Sequence, residues 1–162
     1  MRTQLERIYT QHRQGLFTLA LSITRCPARA EDAVHNAFAR LWQLREPPSQ
    51  DLKAYVFRAV RNAAVDQVRR QTATAEDITA VSIYDDRQLG AESDAIRTER
   101  QQHIRIALEK LEDADRQVVV LRIYSELTFQ EMAQVLDEPL ATVASRYRRA
   151  LAKLREELPK TL

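Results

Sequence analysis

TFQEMAQVLDEPLATVASRYRRALAKLR, residues 128–155, is the stretch whose reading decides the fold. Thr128-x-x-Glu131 is a capping box: the hydroxyl accepts from the Glu131 N–H while the carboxylate reaches back to the Thr128 N–H. Phe129, Met132, Ala133 and Leu136 follow at helical spacing and give one apolar face. Asp137-Glu138-Pro139 breaks the run, because proline is tolerated in a first helical turn and not in an interior. A second helix is expected to bury Leu140, Val143, Tyr147, Ala150 or Leu151, and Leu154. That phase turns Thr142, Ser145, Arg146, Arg149 and Lys153 outward. Short hydroxyls at the N-terminal end of a helix, with arginines behind them, suit a DNA major groove, where small groups approach base edges and guanidinium groups reach phosphate. The pattern describes a helix-turn-helix with its second helix as reader. An amphipathic helical hairpin with a solvated basic face fits the same residues.

Working outward, the composition favours helices throughout. The chain has 162 residues, 44% of them hydrophobic, which is globular rather than disordered. Two glycines and five prolines leave little for a turn-rich β protein. Net charge is only +2, so affinity for nucleic acid must come from local clustering of arginines. The single cysteine, Cys26, excludes an internal disulfide and a structural zinc site, and reads as a small hydrophobe at a helix end. No cofactor or metal is expected. The N-terminus MRTQLERIY holds no apolar leader and no run approaches membrane-spanning length, so a soluble, cytoplasmic protein without membrane insertion is expected.

Four further segments separate by pattern. An amphipathic helix is predicted over 4–26, ended by Pro27, with Leu5, Ile8, Tyr9, His12, Leu16 and Leu19 on one side. A second spans about 30–44, with Ala33, Val34, Ala37, Phe38, Leu41 and Trp42 as its stripe. After the stiff Glu46-Pro47-Pro48-Ser49 loop, Asp51 caps a third helix over 52–71. Between residues 72 and 99 the apolar periodicity fades and carboxylates accumulate, which reads as a linker with a typical span on the order of 30 Å. Helices are then expected over 102–111 and 114–125, ahead of the helix-turn-helix. The fold class expected is all-α: two small helical domains, 1–71 and 100–162, on a flexible acidic linker. The halves are expected to fold independently and the linker to be mobile.

Three blocks, in this order, resemble an extracytoplasmic-function RNA polymerase sigma factor: RAEDAVHNAFARLWQ (29–43), LKAYVFRAVRNAAVDQVRR (52–70) and LEDADRQVVVLRIYSELTFQEMAQVLDEPLATVASRYRRALAKLREEL (111–158). The resemblance implies that Asp32, His35, Asn36, Arg40 and Trp42 belong to a surface that docks on core RNA polymerase, with Phe38 and Leu41 as core. Asp32, Asn36 and Arg40 lie at i, i+4 spacing, which gives a polar ridge. His35 stands where the family usually has glutamine. The third helix, with Arg58, Arg61, Asn62, Arg69 and Arg70, is implied to handle the minus-ten promoter element. There Tyr55 and Phe57 are either stacking platforms for unpaired bases or core. The loop over 45–50 is implied to capture an extruded base, with Ser49 and Gln50 as its candidates. Thr142, Ser145, Arg146 and Arg149 are implied to meet the minus-thirty-five element, Lys153 joins the DNA-binding residues by its outward phase, and Ala144 departs from the basic residue common there. The linker either mimics RNA phosphates inside the polymerase or is a solvated acidic tether.

The function implied is an alternative sigma factor, with core RNA polymerase and promoter DNA as partners and an anti-sigma factor as inhibitor. No small-molecule substrate is expected, and no constellation of His12, His35 and His103 with other groups suggests an enzyme. The alternative is a helix-turn-helix transcriptional regulator fused to a helical sensor or dimerisation domain.

Overall fold

The computed structural model describes residues 1–46, 48, 51–72 and 94–158. Among them every regular element is helical: α1 (Arg2–Thr24), α2 (Pro27–Leu41), α3 (Leu52–Thr72), α4 (Asp94–Glu109), α5 (Asp113–Val119), a π-helical turn (Val120–Tyr124), α6 (Phe129–Leu136) and α7 (Leu140–Glu157).

Local chemistry explains the boundaries. α1 stops where Arg25 turns left-handed at φ 53°, and its N–H closes onto the Leu21 carbonyl. Pro27 therefore does not end α1; it opens α2 from the first helical position, where a missing N–H does no harm. Asp51 caps α3 as expected, accepting from the Lys53 N–H at 2.8 Å. The capping box forms in full: Glu131 N–H donates to the Thr128 hydroxyl at 3.2 Å, and Thr128 N–H donates to the Glu131 carboxylate at 2.7 Å. Asp137 ends α6 at φ 55°, a conformation that aspartate tolerates better than most residues, and Pro139 is the N-cap of α7. The helix expected over 30–44 runs over 27–41, and two elements of the second half also differ from expectation. α4 begins at Asp94, inside the stretch read as linker, and the helix expected over 114–125 widens into a π turn after Val119. Nothing in the neighbouring contacts accounts for the widening itself.

The first half is a three-helix unit in which α1, α2 and α3 all pack on one another. Leu5, Leu16, Leu19, Ala33, Ala37, Phe38, Leu41, Val56, Phe57 and Val60 fill its interior. Phe57 is wholly buried, so it is core and not a stacking platform; Tyr55 is half-buried against the same core.

In the second half α5, α6 and α7 enclose Val118, Leu121, Met132, Val135, Val143 and Ala150. Arg116 is also buried, at 1% exposure, which would be costly for a lone cation. Its guanidinium instead donates to the carbonyls of Leu108 (2.9 Å), Glu109 (3.1 Å) and Leu111 (2.7 Å), and pairs with Asp113 at 3.0 Å. It thereby supplies donors to the carbonyls at the end of α4 and just beyond it, and ties α4 to α5. One expected core residue is not core: Leu140 is half exposed, because the helix begins there and the turn before it offers no apolar wall.

The halves do not stand apart. α3 packs on α6, and α1 packs on α5 and the π turn. The reason is visible at Gly15, in mid-α1, where glycine weakens a helix by roughly 0.5–1 kcal/mol relative to alanine. A methyl group there would meet the Ser125 Cα at 3.1 Å. The Ser125 hydroxyl donates to the Gly15 carbonyl at 3.4 Å, sealing the contact. The linker core (73–93) and the pocket candidates Ser49 and Gln50 lie outside the described residues.

Candidate docking groove and DNA-facing helices

α2 presents its polar residues as the i, i+4 spacing requires: Asp32, His35, Asn36 and Arg40 are exposed, while Ala33, Val34, Ala37 and Phe38 turn inward. Trp42 caps the helix and stays 44% exposed. It stacks at a tilt on Phe38, ring centroids 5.9 Å apart, and Phe38 meets Tyr9 of α1 edge-on at 5.1 Å. The three rings form the wall of an open groove of about 740 Å³ between α1 and α2. Asp32, His35 and Trp42 line it together with Glu31 and Val34 from α2 and with Tyr9, Arg13, Gln14 and Phe17 from α1. Asn36 and Arg40 are not among the lining residues. The α1 contribution is absent from the sequence reading, although Tyr9, Arg13 and Phe17 recur every four residues and must share a face.

α3 carries its arginines along a side that the second half partly covers. Arg58 lies 3.6 Å from the carboxylate of Asp137, and Arg61 Nε donates to the Gln117 side chain at 2.8 Å. Burial lowers the Arg61 pKa, and nearby Arg58 lowers it further, while Glu138 works the other way. Asn62, Arg69 and Arg70 are exposed along the distal part of the helix.

In α7, Thr142 and Arg149 are exposed, and so is Arg148, which the sequence pattern did not single out. Arg148 sits three residues after Ser145, whose hydroxyl it reaches at 3.4 Å. Ser145 and Arg146 are partly buried, and Arg146 is held by Glu138 at 2.5 Å across the turn. Lys153 is engaged differently: its ammonium donates to the buried Asp115 carboxylate at 2.7 Å, which raises the lysine pKa. That link fixes α7 to α5. The packing face is completed by Tyr147 edge-on to Phe129 at 5.5 Å, with the Arg122 guanidinium over the Phe129 ring at 4.9 Å.

These two surfaces match known families half by half. The Sigma-70 region 2 model matches residues 8–74, and the Sigma-70 region 4 model matches residues 107–156. A region 2 half followed by a region 4 half defines a sigma factor of the sigma-70 class. The chain belongs to the extracytoplasmic-function RNA polymerase sigma factors, and it is an alternative sigma factor that directs promoter-specific transcription initiation. Members of this family regulate transcription and are not enzymes. Among relatives, the extracytoplasmic-function sigma factor SigM of Bacillus subtilis is 24% identical, covering 93% of this chain and 93% of its own. SigK of Mycolicibacterium vanbaalenii is 24% identical over 91% of this chain and 78% of its own. Among solved structures, the sigma factor RpoE in complex with the anti-sigma factor NepR from Bartonella quintana superimposes with a TM-score of 0.73 at 22% identity, covering 96% of this chain and 94% of that one. CnrH in complex with the cytosolic domain of CnrY gives 0.67 at 23% identity, covering 96% and 88%. Both share the fold.

Proposed function

We propose that this chain binds core RNA polymerase through the groove between α1 and α2, and that α3 and α7 then face the minus-ten and minus-thirty-five promoter elements. The observation that carries this reading is the pairing on one chain of an open aromatic groove, edged by Asp32 and His35, with a helix-turn-helix whose second helix exposes Thr142, Arg148 and Arg149. Exposed aromatic anchors beside charged groups suit a protein docking site, where a few such residues carry most of the energy. Exposed arginines with a small hydroxyl at a helix N-terminal turn suit DNA.

The residue assignments are these. Asp32, His35 and Trp42 contact the polymerase from within the groove, joined by Tyr9 and Arg13, while Asn36 and Arg40 contact it from the flank. Arg58, Arg61, Asn62, Arg69 and Arg70 face the melted minus-ten strand. Thr142, Ser145, Arg146 and Arg149 read the upstream element, with Arg148 beside them; Lys153 supports the reader through Asp115. Residues 1–71 and 100–162 are the two functional units. The protein works by binding alone, in the cytoplasm where the polymerase is. No helix among the described residues is long and apolar enough to cross a membrane. An anti-sigma factor is a further proposed partner, by analogy with the complexes that its structural neighbours form.

The test is direct. Purified core polymerase should initiate at a defined promoter when this protein is added, and Asp32→Lys should abolish both that activity and co-purification with core enzyme while circular dichroism stays unchanged. Core binding as tight as that of the unaltered chain would place the docking surface elsewhere.

A further inference from the structure

The packed side of α7 is fixed by Val143, Ala150 and Leu154, all buried. At about 100° per residue, Ser145 stands nearly opposite that side, and Arg148 and Arg149 lie within about 60° of the opposite direction, one on each flank. Arg146 falls only about 60° from Val143. It leaves along the packed edge, where Glu138 of the preceding turn holds it at 2.5 Å. The outward face of the reader helix is therefore centred on Ser145, with Arg148 and Arg149 as its long side chains, and not on Arg146.

Those two arginines differ in company. Arg149 shares its flank with Arg146 and Lys153, three and four residues away, a row of cations that suits a phosphate backbone. Arg148 has alanine one turn to either side, Ala144 and Ala152, so neither bulk nor charge crowds it along the helix. Its Nη2 donates to the Ser145 hydroxyl at 3.4 Å, and its other donors have no partner among the described residues. Ser145 lies toward the N-terminus of the helix, the direction in which helical side chains lean. The bond draws the guanidinium from its flank over the middle of the outward face, toward the end that a recognition helix turns to base edges.

We infer that Arg148 is the specificity-determining residue of the upstream contact, that Ser145 is its positioning residue, and that the base selected is guanine. The serine takes one N–H donor of the guanidinium, and the rest leave a parallel pair that matches guanine O6 and N7 in the major groove. Adenine offers N7 beside an amino donor, so there the second N–H of the pair would face another donor. Arg148 selects a base only if α7 is the upstream reader, so the assignment rests on that reading.

The test separates the two. The probe is a library of linear duplexes with a randomised segment long enough to hold both promoter elements. It is captured by the full chain bound to core polymerase and then sequenced. The unaltered chain should select an upstream element with guanine at one position, where any other base lowers capture by about tenfold. Arg148→Gln should move the preference at that position alone to adenine, which glutamine contacts through N6 and N7. Arg148→Lys keeps the charge without the planar fork, and should weaken the guanine preference while capture of the library as a whole holds. Ser145→Ala should blur the same position by about threefold and leave the others sharp. Arg148 is exposed, and glutamine, lysine and alanine are good helix formers, so the variants should fold, as circular dichroism checks. A profile unchanged by Arg148→Gln, or a guanine preference kept in full by Arg148→Lys, would overturn the role of Arg148 and leave α7 as the reader. A change at a different position in Ser145→Ala would overturn the bracing, because the serine would then read a base itself. An unaltered chain that selects no upstream element would overturn the reading of α7 and this assignment with it.

Discussion

α3 and α7 are both arginine-bearing helices, and they differ in what already holds those arginines. On α7, Arg148 and Arg149 point to solvent and Arg146 is held by Glu138 of the adjoining turn. On α3, Arg58 and Arg61 are held by residues from the far half of the chain. Arg146, Arg148 and Arg149 of the reader helix are therefore presented by local structure alone, whereas Arg58 and Arg61 of α3 depend on how the halves are arranged. A helix can carry the right side chains for DNA and still be unavailable, because availability is a tertiary property.

The comparison breaks most decisively at Phe57. If the aromatics of α3 serve packing, Phe57→Ala leaves a cavity between α1, α2 and α3 and should cost about 3–5 kcal/mol in urea unfolding. Trp42→Ala, at an exposed site, should change stability by less than about 1 kcal/mol while weakening core-polymerase binding by about 2 kcal/mol or more. A near-neutral Phe57→Ala would return that ring to the DNA surface.

The second test sets the two helices against each other. Arg149→Ala should weaken binding of the protein to promoter duplex by about 1–3 kcal/mol, both with and without polymerase, measured by anisotropy. Arg58→Ala should leave binding by the isolated protein unchanged and show its defect only in the polymerase complex. Equal losses in both settings for both variants would erase the distinction.

A smaller effect concerns α6, the helix of the second half that packs on α3. Thr128→Ala removes the hydroxyl that accepts from Glu131 N–H, and should lower stability by about 1 kcal/mol in thermal unfolding. Because α6 packs on α3, the same variant should loosen protection of α3 amides in hydrogen exchange.

The smallest is a pH effect at His12. Burial lowers its pKa below the ordinary 6.5, helped by Lys53 and opposed by Glu131 and Glu126 from the second half. The folded chain then binds fewer protons than the unfolded one in the window just beneath 6.5. Stability therefore rises with pH through that window and falls as the medium is acidified. Unfolding midpoints measured near pH 5.5 and near pH 7.5 should differ in that sense, and His12→Phe should flatten the difference. Glu131 contributes in a separate, more acidic range. Burial raises its pKa, but the Thr128 N–H and Lys53 outweigh that and leave it lowered, so its stabilisation is lost as pH falls through the carboxylate range.

What is legible in the sequence is local. The capping box, the Asp51 cap, the apolar stripe of α2 and the break before α7 each depend on residues within a turn or two of one another, and all four are in the structure. The polar ridge of α2 is legible for the same reason. Its companions on α1 are harder to see, because Tyr9 fits an apolar stripe and Arg13 fits solvated surface until α2 is laid beside them. Phe57 is ambiguous in sequence because an aromatic in an arginine-rich helix fits either face until the phase is fixed by α1 and α2. Lys153 shows the limit of phase alone: periodicity turns it outward, but nothing local brings Asp115, 38 residues earlier, to meet it. Gly15 is the residue whose local cost signals a distant contact. A helix-interior glycine asks what comes close to it, and here the answer lies 110 residues away.

The π turn over Val120–Tyr124 has a consequence for how length changes in this chain would be tolerated. A π turn is an α-helix with one residue inserted, and its wider winding absorbs that residue, so that about five residues sweep the angle that about four sweep in ordinary α winding. Deleting a single residue there would restore ordinary winding and leave the chain beyond it pointing nearly as before, with the helix-turn-helix still aimed as it is. The local helix would become more regular and its aim would be kept. A one-residue deletion in this segment is therefore taken up locally, whereas the same deletion in the regular winding of α1 would rotate everything beyond it by about 100°.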